Sequence, residues 1–242
     1  MVITNNNELM IFGGVDSDEC YKLVKGSWEK QNALTRKREY AVAIVMSNGI
    51  YVFGGQNTAC RSDFLPNGQD EWQEGPVVPY PGIRDGHGVA ISQTELLLVG
   101  GDGSKSEILK FNIESKKWTV VGSLLKGRYD HRCFIVNSKM IVTGGIGNDW
   151  NALKSTEVVE LSIWKSKYAG DLNVARSGHG MGIVYINGKS KLVVFGGRTT
   201  GGSMLDSIEE WDEDTETWTM SSMKLSNPNC LFAYSQSSNN SQ

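Results

Sequence analysis

Residues 8–14 read ELMIFGG, an apolar run with the character of a β-strand that ends in a pair of glycines. The same pattern returns four times: GIYVFGG at 49–55, ELLLVGG at 95–101, KMIVTGG at 139–145 and KLVVFGG at 191–197. The first glycines of successive pairs lie 41, 46, 44 and 52 positions apart. A period in this range indicates repeated supersecondary units, none of which can bury its own apolar face alone.

Each repeat holds two hairpins and therefore four short strands. Residues 40–55 read YAVAIVMSNGIYVFGG, two runs of strand character joined by Ser and Asn, which is typical of a hairpin. Downstream of the glycines, an aromatic residue precedes a tryptophan by seven positions, with turn formers between them. This spacing brackets a second hairpin at Tyr21 and Trp28, at Phe111 and Trp118, and at Trp211 and Trp218. The fourth repeat lacks the pair, so its fourth strand stays open.

The strands that end in glycine pairs are apolar on both faces, which suits a strand covered on each side by neighbouring sheets. Twisted four-stranded sheets stacked radially around an axis meet that requirement, and glycines allow close approach where the sheets crowd together. We therefore predict an all-β β-propeller with five four-stranded blades. Residues 1–235 are expected to form a single domain, and residues 236–242 a disordered tail.

Closure of the ring is left open, because two segments compete for the inner strand of the first blade. Met1 to Thr4 precede the first repeat, and residues 230–235, CLFAYS, follow Trp218 at an inner-strand position. Either the C-terminal run inserts into the first blade, or it begins an incomplete six-bladed ring. A closed ring of five is favoured, since an open ring leaves an exposed apolar edge strand.

The bulk composition excludes several classes of partner. The 242 residues include 24 basic and 27 acidic ones, interspersed, for a net charge of -3. Without a Lys/Arg tract we expect no nucleic-acid partner. The apolar runs are far shorter than the roughly 20 residues that span a bilayer, so we expect no membrane association, a cytoplasmic location and a monomer. The four cysteines lack CxxC spacing and are interpreted as buried reduced thiols.

Together, the YVFGG-like runs, the aromatic residue seven positions before Trp, and an Arg before the first strand resemble the kelch repeat over nearly the whole chain. The resemblance implies a propeller of kelch type with the first strand of each blade innermost. Kelch propellers usually have six or seven blades, so five would be few. It also implies that a partner binds on the face where strand four connects to strand one and strand two to strand three.

The three histidines are predicted to share one position of the repeat, as Arg84-x-x-His87, Arg128-x-x-His131 and Arg176-x-x-His179. Three imidazoles on neighbouring inner strands could converge on a metal ion. The alternative is that each histidine packs against the next blade, because a repeat reproduces any structural residue symmetrically. We favour the structural role and expect neither a bound metal nor a cofactor.

Four arginines, Arg38, Arg84, Arg128 and Arg176, precede the first strands and are expected to ring one face. A guanidinium suits bidentate carboxylate recognition, which favours a partner rich in Asp or Glu. The arginines could equally brace the blades by bonding to carbonyls. The variable loops of this face add Trp150, Arg198 and Met204 as candidates for partner binding, and Tyr129, beside Arg128, is a further candidate for the same surface.

Catalytic motifs such as GxSxG, HExxH or a phosphate-binding loop do not occur in the sequence. Glu209, Glu210, Asp212 and Asp214 are interpreted as solvated surface around a turn. The resemblance therefore favours a noncatalytic module that binds a protein or peptide, as the substrate receptor of a cullin-type ubiquitin ligase or as a cytoskeletal scaffold. The sequence has no BTB-like helical domain before the repeats. A complete chain would therefore have to scaffold, inhibit or pair with another chain, whereas for an excised domain the missing part would hold the effector function. The alternative is a sugar-processing or small-molecule kelch-like enzyme or specifier protein.

Overall fold

The computed structural model of the chain describes residues 1–55, 60–79, 85–102, 106–186 and 188–230. These residues separate into two compact units, and the boundary lies between Val121 and Gly122. The interpretation of residues 1–235 as a single domain stays a prediction. Residues 231–235 of the CLFAYS run and the expected tail at 236–242 lie outside the described residues.

The first unit contains three antiparallel sheets of four strands, in which strands consecutive in the chain are neighbours. The first sheet is β1 (Val2–Ile3), β2 (Leu9–Phe12), β3 (Cys20–Val24) and β4 (Ser27–Gln31). The second is β5 (Val42–Met46), β6 (Gly49–Phe53), β7 (Ser62–Pro66) and β8 (Gln73–Glu74). The third is β9 (His87–Ala90), β10 (Glu95–Val99), β11 (Glu107–Asn112) and β12 (Lys117–Ser123), and β12 crosses the unit boundary.

The second unit contains two further sheets with the same strand order. The fourth sheet is β13 (Arg132–Val136), β14 (Lys139–Thr143), β15 (Thr156–Glu160) and β16 (Lys165–Tyr168). The fifth is β17 (Gly180–Ile186), β18 (Lys189–Phe195), β19 (Ser207–Asp212) and β20 (Thr217–Lys224). The fourth strand of the fourth repeat, which the sequence left open, is therefore β16.

The second strands are more buried than the fourth strands, in agreement with their residue types. All five residues of β6 are buried, as are the last four of β10 and of β14, which matches their apolar sequences. The fourth strands are polar and exposed, β4 and β16 most clearly. In the first unit, Phe53, Leu98 and Phe111 belong to one buried cluster that joins the second and third sheets. Burial of such side chains contributes about 1.5 to 3 kcal/mol each.

The first sheet takes its first strand from the N-terminus of the chain. Val2 pairs with Met10 and Ile3 with Leu9, and Val2 is buried in the core. Of the two segments that compete for this place, Met1 to Thr4 supplies the strand.

The five four-stranded sheets confirm the predicted fold class, an all-β propeller with five blades. Across the described residues there is no α-helix, and so none that is long and apolar enough to cross a membrane.

Candidate functional site

The main chain of Arg38 and that of Arg176 each bind the glycine pair of the preceding sheet. The carbonyl of Arg38 accepts a hydrogen bond from Gly14 N at 2.8 Å, and its N–H donates to Ser17 O at 3.0 Å. In the second unit, the carbonyl of Arg176 accepts from Gly145 N at 2.9 Å. The glycine pairs therefore hold the chain that leads into the next sheet.

The side chains of Arg128 and Arg176 reach into their own sheets and make matching contacts. Arg128 Nη1 donates to Gly144 O at 2.8 Å and to Ser155 O at 2.9 Å, and its Nη2 donates to Glu157 Oε1 at 2.7 Å. The Arg176 guanidinium does the same one sheet later, to Gly196 O at 2.8 Å, Ser207 O at 3.1 Å and Glu209 Oε1 at 2.7 Å. Each guanidinium thus ties a glycine pair to the third strand of its sheet.

Arg38 makes the corresponding contacts in the second sheet with an aspartate. Its Nε donates to Asp63 Oδ2 at 2.5 Å, and its Nη1 donates to the carbonyls of Gly54 and Arg61. The other oxygen of Asp63 accepts from the hydroxyl of Thr35. Both side chains of the ion pair are fully buried.

The carboxylates of the fourth and fifth sheets are satisfied by backbone N–H groups as well as by arginine. Glu157 accepts from Leu125 N at 2.6 Å and Lys126 N at 3.0 Å, and Glu209 accepts from Asn173 N at 2.7 Å and Val174 N at 3.1 Å. The interpretation of Glu209 as solvated surface is therefore wrong. Glu209 lies on the buried face of β19, where it pairs with an arginine.

Burial lowers the pKa of Arg38, Arg128 and Arg176, and the neighbouring carboxylates oppose that shift. A guanidinium stays charged even so. The three residues are at most 2% exposed. Their contacts are those of the bracing alternative, and partner binding by them stays a prediction. Arg84 lies outside the described residues.

In the third sheet an apolar residue stands at the position of the bracing acid. Asp63, Glu157 and Glu209 each pair across the sheet with a valine that lies two positions before a glycine pair. In the third sheet this position is Leu109, which pairs with Leu98 and is 1% exposed. The carboxylate that would hold an arginine there is replaced by an apolar side chain.

The three histidines do not share one position, so that prediction is wrong. His87 pairs with Val99, and the equivalent residue of the fourth sheet is Arg132, which pairs with Thr143. The hairpin from His87 to Val99 is one residue longer than the hairpin from Arg132 to Thr143, and this shifts the register. His131 and His179 do match, each one position before the first strand and fully buried. Among the described residues, no three His, Cys, Asp or Glu side chains are grouped to hold a metal ion.

The loops after the glycine pairs of the fourth and fifth sheets present a surface in the second unit. Trp150 is 74% exposed, and its ring meets that of Tyr129 edge to face at a centroid distance of 6.0 Å. The loop is ordered by its own hydrogen bonds, from Gly147 N to Asn151 O and from Trp150 N to Gly147 O, both at 3.1 Å. Trp150 therefore projects from a fixed turn and is not folded into its sheet.

Arg198 lies on the neighbouring loop of the fifth sheet, with a side chain that is 40% exposed. Its Nη2 donates to Asp130 Oδ2 at 3.3 Å. Burial raises the pKa of Asp130, whereas the positive charges of Arg132 and Arg198 act in the opposite direction and lower it. The two loops touch, because Ala152 N donates to the hydroxyl of Thr200 at 2.9 Å.

We call the set of Tyr129, Trp150, Arg198 and Met204 the loop surface; Met204 is 56% exposed. Sequence reasoning found Trp150, Arg198 and Met204 because they stand in variable loops, and Tyr129 because it lies beside Arg128. It missed Asp130 and Thr200, which support them. The φ of Asp130, 54°, is a conformation that Asp tolerates better than most residues, but it becomes visible only in the structure.

A family model described as the KLHDC2/KLHL20/DRC7 Kelch-repeats domain matches residues 1–145, which is more than half of the chain. The chain belongs to the kelch-repeat family. A second model, described as Recombination activating protein 2, matches residues 151–220. The kelch type of the propeller, implied by the sequence resemblance, is confirmed.

Kelch-repeat proteins of several kinds are similar to this chain. An F-box/kelch-repeat protein of Arabidopsis thaliana is 33% identical over 148 residues, 53% of this chain and 30% of that protein. A RING finger domain and kelch repeat-containing protein of Dictyostelium discoideum is 25% identical over 239 residues, 95% of this chain and 23% of that protein. Kelch repeat and BTB domain-containing protein 12 of Danio rerio is 23% identical over 176 residues, 60% of this chain and 28% of that protein. The chain thus spans less than a third of each relative.

Proposed function

We propose that this kelch-repeat chain is a noncatalytic module that binds a protein or peptide through the loop surface. The observation that carries the proposal is the exposure of Trp150, 74%, on a loop whose main chain is held by hydrogen bonds. An exposed aromatic side chain in a fixed position loses little conformational entropy on binding, and Trp is enriched among the residues that dominate interface energies.

The charge of the loop surface favours an acidic partner. Arg198 is the exposed cation of this surface, and its ion pair with Asp130 leaves 40% of its side chain open to solvent. A partner carboxylate could bond to the exposed part of the guanidinium, which has five donors in a fixed plane. The buried arginines contribute by holding the strands from which the loops emerge.

The wider role follows from the kinds of protein that this chain resembles. The names of its relatives combine kelch repeats with F-box, RING or BTB domains. We propose that the chain is the substrate-receptor part of a cullin-type ubiquitin ligase, with a cytoskeletal scaffold as the second possibility. In either role it would act as a monomer in the cytoplasm.

Affinity capture with mass spectrometry tests this proposal. The intact chain, a Trp150→Ala/Arg198→Ala variant and a Trp28→Ala control are used as baits in the same lysate. Trp28 is 47% exposed on β4 and belongs to the first unit, whereas the loop surface belongs to the second. We expect specific proteins that the control retains and the double variant loses. Retention of every specific protein by the double variant would show that binding occurs elsewhere.

A further inference from the structure

A groove of about 520 Å³ lies between the first and second sheets of the first unit. It opens at the ends of the sheets opposite the glycine pairs, between the turn at Thr4 to Glu8 and the turn at Asn67 to Asp70. Its size falls within the range of ligand sites in proteins, roughly 300 to 1,000 Å³. The loop surface consists of residues of the second unit, so this groove is a separate feature.

The groove exists because the fourth strand of the second sheet is short. β8 has two residues, which pair with Asp63 and Phe64 only, whereas the other fourth strands have four to eight. The chain from Asn67 to Trp72 leaves the sheet before β8 begins. Leu65 and Pro66 on β7 consequently line the groove and have no fourth strand beside them.

The floor of the groove is apolar. Met10, Val45, Ile50 and Trp72 line it, and all four belong to the buried cluster that joins the first and second sheets. Leu65 packs against that cluster and is partly buried. An aliphatic chain laid on this floor would be removed from water on the side that faces it.

The rim of the groove is rich in hydrogen-bond acceptors. The amide nitrogen of Asn5 donates to Met46 O at 3.0 Å, and that of Asn67 donates to Ser47 O at 2.7 Å. Gln31 Nε2 donates to two main-chain carbonyls of its own strand. Within the described part of the chain, the side-chain carbonyl oxygens of these three residues accept no hydrogen bond, so they remain open to a donor.

The charge of the rim is negative. Glu8 forms an ion pair with Lys22 at 3.2 Å, whereas the exposed carboxylate of Asp70 makes no ion pair with any described residue. The three charged side chains therefore sum to one negative charge. A ligand that complements the groove must donate several hydrogen bonds, carry a positive charge and bring an apolar stem.

We propose that the groove binds the arginine side chain of a peptide segment. The three methylenes of arginine fit the apolar floor, and the guanidinium offers five donors to the carbonyl oxygens and to Asp70. Lysine matches less well, since its ammonium is more strongly hydrated and offers three donors. The partner for this groove is thus basic, whereas the loop surface favours an acidic one.

A pair of matched peptides tests the proposal. Acetyl-Gly-Arg-Gly-amide and its citrulline counterpart, which has nearly the same shape without the charge, are titrated into the isotope-labelled chain. We expect the arginine peptide to shift the side-chain amide signals of Asn5 and Asn67. The citrulline peptide should bind at least about tenfold more weakly, because it loses the charge that complements Asp70 and also two of the five N–H donors that the carbonyl oxygens of the rim accept.

Variants locate the binding. Asp70→Asn should weaken the arginine peptide about two- to fivefold, as expected for an exposed ion pair. Asp214→Asn, the same change in an exposed turn of the fifth sheet, should leave it unchanged. Equal binding of both peptides, no effect of Asp70→Asn, or no shift at about 10 mM peptide would overturn the proposal. If maltotriose shifts the same amide signals and binds more strongly than the arginine peptide, the groove would instead be a site for neutral sugars.

Discussion

Arg176 donates to Glu209 across 2.7 Å, and neither side chain is exposed to solvent. The pair joins the segment before β17 to β19, and Glu209 also accepts two backbone N–H groups of the segment that leads to Arg176. Because water does not reach either charge, each depends on the other for compensation. An isolated buried charge is strongly destabilising, even where the intact pair contributes little compared with apolar residues.

Arg176→Ala should therefore lower the free energy of unfolding by about 3 to 5 kcal/mol, since it leaves Glu209 buried without its cation. Urea denaturation followed by circular dichroism measures the loss. Lys37→Ala is the control, because its ion pair with Asp16 is 58% exposed on the lysine side and 82% exposed on the aspartate side and should contribute less than about 1 kcal/mol. Equal losses in the two variants would contradict a bracing role for Arg176.

The second glycine of the fourth pair, Gly145, should tolerate no side chain. A Cβ on Gly145 would lie 2.6 Å from Tyr129 O and 2.7 Å from the Cβ of His131, and its φ is +90°. Gly188 has a φ of +79° but open space around the Cβ position. Gly188→Ala should cost about 1 kcal/mol for the backbone conformation alone.

Gly145→Ala should cost about 1 to 3 kcal/mol more, because the crowded backbone must move. Thermal and urea unfolding of the two variants measure the difference. A Gly145→Ala variant as stable as Gly188→Ala would mean that the chain before the fourth sheet yields easily, and that close packing does not explain the glycine pairs.

The repeats could be predicted from the sequence because one local requirement recurs in each of the five. The second strand is buried on both faces and ends where only glycine fits, so apolar runs before Gly-Gly mark it five times. The second strands do end at the residue before the glycines: Phe12, Phe53, Val99, Thr143 and Phe195. The fourth strands are polar and exposed, and their lengths vary, so the sequence predicted them less well.

The brace was missed because its acids lie two strands away from its arginines. A signal was present in β19, where burial alternates and Glu209 shares the buried face with Trp211. Once Trp211 is placed in the core, the residue two positions earlier must be buried too. The register of His87 could not be predicted, because it depends on the length of one hairpin and not on residue type.

Glu216 should make stability depend on pH. Its carboxylate joins the fourth and fifth sheets through Lys167 at 2.8 Å and Lys139 at 3.2 Å. The hydrogen bond from Lys167 is the largest cause that lowers the pKa of Glu216. Because the pKa is lowered in the folded protein, the ion pairs of Glu216 contribute to stability above the pKa of the unfolded chain, about 4.3. This contribution is lost as the pH falls through the folded pKa.

Glu216→Gln should consequently destabilise the protein at pH 7 and have little effect near pH 3, as measured by denaturation at both values. Glu114→Gln changes an exposed acid in the corresponding turn of the third sheet and should have no effect at either pH. A loss of the same size at pH 3 would assign the role of Glu216 to packing.

Trp150 and Arg198 should respond differently to salt if the loop surface binds a partner. Trp150→Ala removes apolar contact, so its cost of about 2 kcal/mol or more in binding free energy should persist at high salt. Arg198→Ala removes a partly exposed charge, so its effect should shrink as ionic strength rises. Affinities of a captured partner at low and high salt measure both. Unchanged affinity in Trp150→Ala would exclude the loop surface.

Arg84 should differ from the braced arginines, because Leu109 stands where the other sheets have Asp63, Glu157 and Glu209. Because the third sheet lacks an acid at the position of Glu157, Arg84→Ala should cost less stability than Arg128→Ala, for which the expected loss is about 3 to 5 kcal/mol. If Arg84 binds the partner, the same variant should weaken binding by about 1 to 3 kcal/mol. Unfolding and binding are therefore measured on the same preparation. A large loss of stability with full affinity would show that Arg84 braces its sheet through carbonyl groups alone.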